Sequence, residues 1–164
     1  MGLVAGSPPC SVAKKRPFSV LVVIRSLSDG TTLLIERADL PGFWQSVTGS
    51  CEAHESVRQT AIREVAEETG LAVDPEATAL RPLGLINVFS IYPEFRHRYA
   101  EGTTHNVEHC FLLDLPGPAT PRLSAREHQS WRWCTFPEAE DRVRSWSNRA
   151  ALQKVRVQLC MTST

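Results

Sequence analysis

The stretch 49-GSCEAHESVRQTAIREVAEETGL-71 decides how the chain is read. It sets a glycine, an isolated glutamate, an arginine and three closely spaced glutamates into what reads as loop, helix, loop. Ser56 is a residue type that caps helix N-termini and Gly70 suits a left-handed stop, so roughly four turns of helix are expected between them. Glu64, Glu67 and Glu68 stand at i, i+3 and i+4 and share one helix face. Val57, Ala61, Ile62 and Val65 form a neighbouring stripe able to pack on a core. Uncompensated like charges at this spacing destabilise a helix by roughly a few tenths of a kcal/mol. Carboxylates gathered at the rim of an apolar stripe therefore imply a cation. Hard oxygen donors without thiolate or imidazole favour Mg²⁺ or Mn²⁺ over zinc, and magnesium is commonly shared with substrate phosphates. The competing reading of Glu67 and Glu68 is a solvated acidic face paired with Lys or Arg.

Taken whole, the stretch resembles the Nudix box: Gly, five residues, Glu, seven residues, then Arg-Glu-apolar-X-Glu-Glu-X-Gly-apolar. The matching positions are Gly49, Glu55, Arg63, Glu64, Val65, Glu67, Glu68, Gly70 and Leu71, with no departure. The resemblance implies a divalent-metal hydrolase of nucleoside diphosphates linked to a further group, built as an αβα sandwich. It implies metal binding by Glu64 and Glu68, with Glu67 in the same cluster as ligand or base. Arg63 and Glu55 are expected to be a structural pair pinning loop to helix.

A chain of 164 residues, 42% hydrophobic and 22% charged, suits one soluble domain, and residues 15–160 are assigned to it, with 1–14 as a flexible tail. The formal net charge is zero, so no global field draws in nucleic acid or a membrane surface, and anion attraction must be local. No apolar run approaches the length of a bilayer span. The start, MGLVAGSPPCSVAKKRP, has no h-region, carries its basic residues on the wrong side for a secretory signal, and lacks the Ser or Thr that myristoylation needs at position 6. Cys10, Cys51, Cys110, Cys134 and Cys160 are scattered, without a C-x-x-C pair, and read as reduced, mostly buried thiols of a cytoplasmic protein. His105 and His109 are four apart, but the surrounding alternation is that of a strand, so a zinc site has little support.

The β-branched run Phe18 to Ile24 reads as a buried central strand, and Thr32 to Glu36, after the turn at Ser28-Asp29-Gly30, as its partner. Phe43 to Thr48 alternates and leads into Gly49. One or two strand segments are expected over Leu80 to Ser90, irregular near Pro82 and Gly84, and further strands over Val107 to Leu115 and Ser130 to Phe136. Pro137 is expected at the first position of a short helix, and Ser147 or Asn148 as cap of a last helix through Leu159. Strands outnumber helices without strict alternation, so the fold class is α+β, a mixed sheet between helices.

Phosphoanhydride hydrolysis needs charge neutralisation and an aligned water more than covalent chemistry. Lys14, Lys15, Arg16, Arg37 and the cluster Arg96-His97-Arg98-Tyr99 are the candidate phosphate-binding groups. Trp44, Phe89, Tyr92 and Phe95 are candidates for stacking on a flat heterocycle, with core packing the competing role. Glu127, on a loop before a strand, is a candidate to reach the metal from outside the box helix. KRPFSVLVVI, FWQSVTGS, RHRYAEG, Arg126 to His128 and SWSNRAAL resemble the bacterial Nudix branch that removes pyrophosphate from 7,8-dihydroneopterin triphosphate in folate synthesis. The resemblance spans about Lys15 to Val155. It implies substrate contacts at Lys15, Arg37, Thr48, Phe89, Ser90, Ile91, Tyr92 and Ser145, and metal contacts at Glu64, Glu68 and Glu127. Arg96 and Arg98 are added to the substrate set from the basic loop. Phe89-Ser90-Ile91-Tyr92 departs from the branch, which carries an acidic residue among aromatics there. The alternatives are a purine (deoxy)nucleoside triphosphate pyrophosphohydrolase and, since all box glutamates are present, less readily a non-catalytic Nudix-fold binding module.

Overall fold

The computed structural model describes residues 14–76 and 78–162. The expected tail, apart from Lys14, and Cys10 lie outside the described residues. The elements follow in the order β1 (Phe18–Ser26), β2 (Thr32–Arg37), β3 (Trp44–Gln45), β4 (Val47–Ser50), α1 (Val57–Thr69), β5 (Leu80–Ser90), β6 (His105–Leu115), β7 (His128–Cys134), α2 (Phe136–Arg142) and α3 (Trp146–Thr162). A 3-10 turn runs over Pro93–Arg98, where the sequence suggested loop.

β1 is the axis of the sheet. It lies parallel to β6 from Phe18 to Ser26, antiparallel to β4 from Ser19 to Val22, and meets β2 at Arg25 and Thr32. Side chains alternate across a strand, so its two faces enter two cores. Val20, Val22 and Ile24 pack with Ala61 and Val65 of α1, while Leu21 and Val23 pack with Phe136 and Ala139 of α2 and Ala151, Leu152 and Val155 of α3. A strand covered on both sides has no polar face, which is why FSVLVVI is apolar without alternation. The result is the expected mixed sheet between helices, in the order β3-β2-β1-β6-β5, with β4 on β1 and β7 on β2.

β5 keeps to expectation, and two boundaries depart from it. β5 is one strand whose pairing with β6 shifts register between Pro82 and Ile86, and Gly84 takes a φ of 68° there. β7 ends at Cys134, because Thr135 caps α2 and Phe136 turns into the core as its first residue, leaving Pro137 second. Ser147 and Asn148 lie inside α3; the Ser145 hydroxyl accepts the Asn148 N–H at 3.4 Å, freeing the Asn148 side chain for a tertiary role.

Candidate active site

α1 is closed at both ends as its sequence indicates. The Ser56 side chain accepts the Gln59 N–H, the Gln59 side chain accepts the Ser56 N–H at 2.8 Å, and Gly70 stops the helix at φ 68°. The loop before it is tied to the helix by Arg63. Its guanidinium donates to both Glu55 oxygens at 2.7 and 3.0 Å, to the Ser50 carbonyl at 3.1 Å, to Glu64 at 2.8 Å and to Glu67 at 3.0 Å. Glu55 accepts in addition from the Glu52 N–H and the Thr60 hydroxyl. Held mainly by Arg63, its carboxyl titrates at about 2, far below the usual carboxylate range.

The three box glutamates do not point one way. Glu64 and Glu68 expose 12% and 7% of their side chains and turn toward the sheet, whereas Glu67 exposes 57% and reaches the rim. Gly49 on β4 makes room for Glu64: a Cβ there would overlap the Glu64 carboxylate. Burial pushes Glu64 up to about 7, opposed by Arg63 and assisted by the charges of Glu68 and Glu67. Burial also raises Glu68, although His128 and the Thr48 N–H, 3.3 Å from its Oε2, pull the other way.

A cleft of about 780 Å³ opens above this helix face. Its lining combines Glu64, Glu68 and Glu127 with Lys14, Lys15, Arg16, Arg37 and Arg126, and with Gln45, Thr48, Gly49 and Ser50. The cleft thus gathers Lys15, Arg37, Thr48, Gly49, Arg63, Glu64, Glu68 and Glu127 from the expected set. It also contains Asp39, which accepts from Arg37 at 2.8 and 2.6 Å, and His128. Glu68, Glu127 and His128 each bring one donor atom within 4.8 Å of the others. The buried His128 ring has no aligned hydrogen bond at either nitrogen, though Nε2 lies 3.2 Å from Glu68 Oε1. Two carboxylates beside an imidazole with unused nitrogens fit a divalent cation. His128 was not foreseen as a ligand; its adjacency to Glu127 was visible, but only the pairing of β7 with β2, which sets His128 opposite Arg37, turns it inward.

The other expected contacts are not among the residues lining this cleft. Arg96 donates to the Ile91 carbonyl, Arg98 sits over the Phe95 ring, and neither lines the cleft. Tyr92 and Phe95 are exposed, and Trp44 is partly buried against the α2–α3 core with Arg132 over its ring. Phe89 on β5 and Ser145 before α3 lie toward the opposite face of the sheet from α1. His105 and His109 lie on β6, among strand residues, as the alternation indicated.

Comparison with known proteins agrees with this geometry. The NUDIX domain family matches residues 15–154. The dihydroneopterin triphosphate diphosphatase of Escherichia coli K12 is 41% identical over 140 residues, 85% of this chain and 92% of that protein. The Haemophilus influenzae protein of the same name is 40% identical over 136 residues, 83% of this chain and 85% of that one. A solved structure of the E. coli dihydroneopterin triphosphate pyrophosphohydrolase superposes with a TM-score of 0.76 at 40% identity, covering 87% of this chain and 97% of that one. With an unbroken box on a helix facing a charged cleft, and these relatives across most of its length, the chain belongs to the NUDIX family of hydrolases.

Proposed function

We propose that the chain hydrolyses 7,8-dihydroneopterin triphosphate to the monophosphate and pyrophosphate, with Mg²⁺, or Mn²⁺ in its place, as cofactor. The observation that carries the reading is one cleft lined by carboxylates together with lysines and arginines, in a chain 41% identical to a diphosphatase of that substrate. Glu64, Glu68 and Glu127 are the proposed metal-holding residues, and His128, with Nε2 3.2 Å from Glu68 Oε1, is placed to hold that carboxylate. A bound divalent ion supplies charge neutralisation on the phosphates and lowers the pKa of a bound water. Lys15, Arg37 and Arg126 bind the phosphate oxygens, and Asp39 orients the Arg37 guanidinium by accepting from two of its nitrogens. Arg63 keeps Glu64 against Gly49. Glu67 is paired with Arg63 at the rim and has to leave that pair to take a proton from water. A cytoplasmic location is part of the proposal; the described cysteines Cys51, Cys110, Cys134 and Cys160 are all free thiols, the last of them exposed. Among the described residues no helix is long and apolar enough to cross a membrane.

The test is pyrophosphate release with Mg²⁺, comparing kcat/KM on dihydroneopterin triphosphate and dATP. The expected result is a clear preference for the pterin. A preference for dATP transfers the assignment to purine nucleotides, and no turnover of these or of other nucleoside triphosphates favours a binding module.

A further inference from the structure

A buried carboxylate outside the cleft has no role in the chemistry above. Glu108 of β6 is 6% exposed and faces α3, with no cationic partner among the described residues. Asn87 Nδ2 donates to its Oε1 at 3.1 Å, and the Ser147 hydroxyl of α3 hydrogen-bonds it as well. A carboxylate buried with only neutral partners is costly to keep ionised, and burial raises its pKa accordingly. Such a group is well used if a ligand brings further donors.

The sheet register sets it in line with the cleft. Ser50, which lines the cleft, pairs with Ser19 of β1; Ser19 pairs with Glu108 of β6, which pairs in turn with Asn87 of β5. Partners across a sheet share a face, so these polar side chains form a row under α3 that starts in the phosphate cleft. Adjacent strands are about 4.8 Å apart, so Glu108 lies roughly two strand spacings, about 10 Å, from Ser50. A flat bicycle together with its three-carbon side chain and first phosphate spans a comparable distance. Phe89, two residues along β5 from Asn87 on the same face, supplies a half-buried ring beside the row.

We propose that Glu108 determines ring specificity, accepting hydrogen bonds from the adjacent ring N–H and exocyclic amino group of a 2-amino-4-oxo heterocycle while its triphosphate occupies the cleft. The inference rests on the triphosphatase reading and deepens it. Pterin and guanine share that donor–donor edge. Adenine presents a ring acceptor beside its amino group and faces a carboxylate poorly.

The experiment compares wild type and Glu108→Gln in kcat/KM on dihydroneopterin triphosphate, dGTP and dATP, with Tm as a fold check. The expected loss is roughly 10–100-fold on the first two, as for removal of a charged hydrogen-bond partner, with dATP changed less than about threefold. An equal fall on all three substrates, or no change, overturns the proposal and leaves Glu108 a structural residue. If Glu108→Gln does not fold, Glu108→Asp, which keeps the charge and shortens its reach, is judged on the same ratios. Wild-type enzyme inactive on dihydroneopterin triphosphate but active on dGTP defeats the pterin assignment alone, because the dGTP-to-dATP ratio still tests Glu108. Wild-type enzyme inactive on all three substrates overturns both.

Discussion

A methyl group at Gly49 and the Glu64 carboxylate would occupy the same volume. Gly49→Ala is therefore expected to act through Glu64, since Arg63 restrains that side chain from moving aside. Metal affinity should weaken and kcat fall by roughly 10²-fold, with Tm little changed; titration with Mn²⁺ beside steady-state kinetics checks both. Full activity in this variant would show that Glu64 need not occupy its present place. Glu64→Gln and Glu68→Gln remove one charge each at nearly constant shape. Both are expected to lower kcat by at least roughly 10²–10³-fold while the folded state persists, read by turnover together with circular dichroism. Normal turnover in both would move the chemistry elsewhere.

Within α1 and its preceding loop, the Glu55–Arg63 pair makes stability depend on acid. The Glu55 carboxyl titrates at about 2 when folded, against an ordinary value of 4.5. A depressed folded value means that the unfolded chain binds the proton first. The stabilisation is therefore complete above about 4.5 and lost as pH falls from there toward 2. Glu55→Gln should lower Tm at neutral pH and flatten the Tm–pH curve in that window. A mutant curve parallel to wild type would show that the pair does not contribute. Arg63 meets five oxygen acceptors at once, a planar fork that lysine cannot reproduce.

Across the whole molecule, two long-range couplings join the site to the fold. Asn148 of α3 accepts from the Ser46 N–H at 2.8 Å and donates to the Ser46 hydroxyl at 2.9 Å, all buried between β3 and β4. Asn148→Ala leaves both Ser46 groups without these partners, at a cost of roughly 2–3 kcal/mol measured by urea unfolding. A loss below about 0.5 kcal/mol would mean that the junction relaxes or hydrates freely. The second coupling is thermodynamic. An ion held by carboxylates from α1 and from the loop before β7 binds only the folded chain. Mg²⁺ at 100 times its Kd should stabilise by about 2.7 kcal/mol, or roughly 5–10 °C in Tm for a chain of this size. A chelator should reverse the shift, and Glu68→Gln should abolish it; an equal shift in the variant would place the ion elsewhere.

What the chain's order of residues determined was local and periodic. Ser56, Gly70 and the 3.6-residue stripe specify α1 from contacts within a few positions, and the unbroken apolar run of β1 announces a strand covered on both faces. The Glu55–Arg63 pair was legible for the same reason, being joined through one loop. Tertiary structure decided what depends on residues far apart. It turned Glu67 to the rim while burying Glu64 and Glu68, because only packing against β4 distinguishes positions on one helix face. It brought His128 to Glu68 through the pairing of β7 with β2, and Asn148 to Ser46 across the molecule. Strand register, which no local spacing encodes, set Glu108 beside Asn87 under α3.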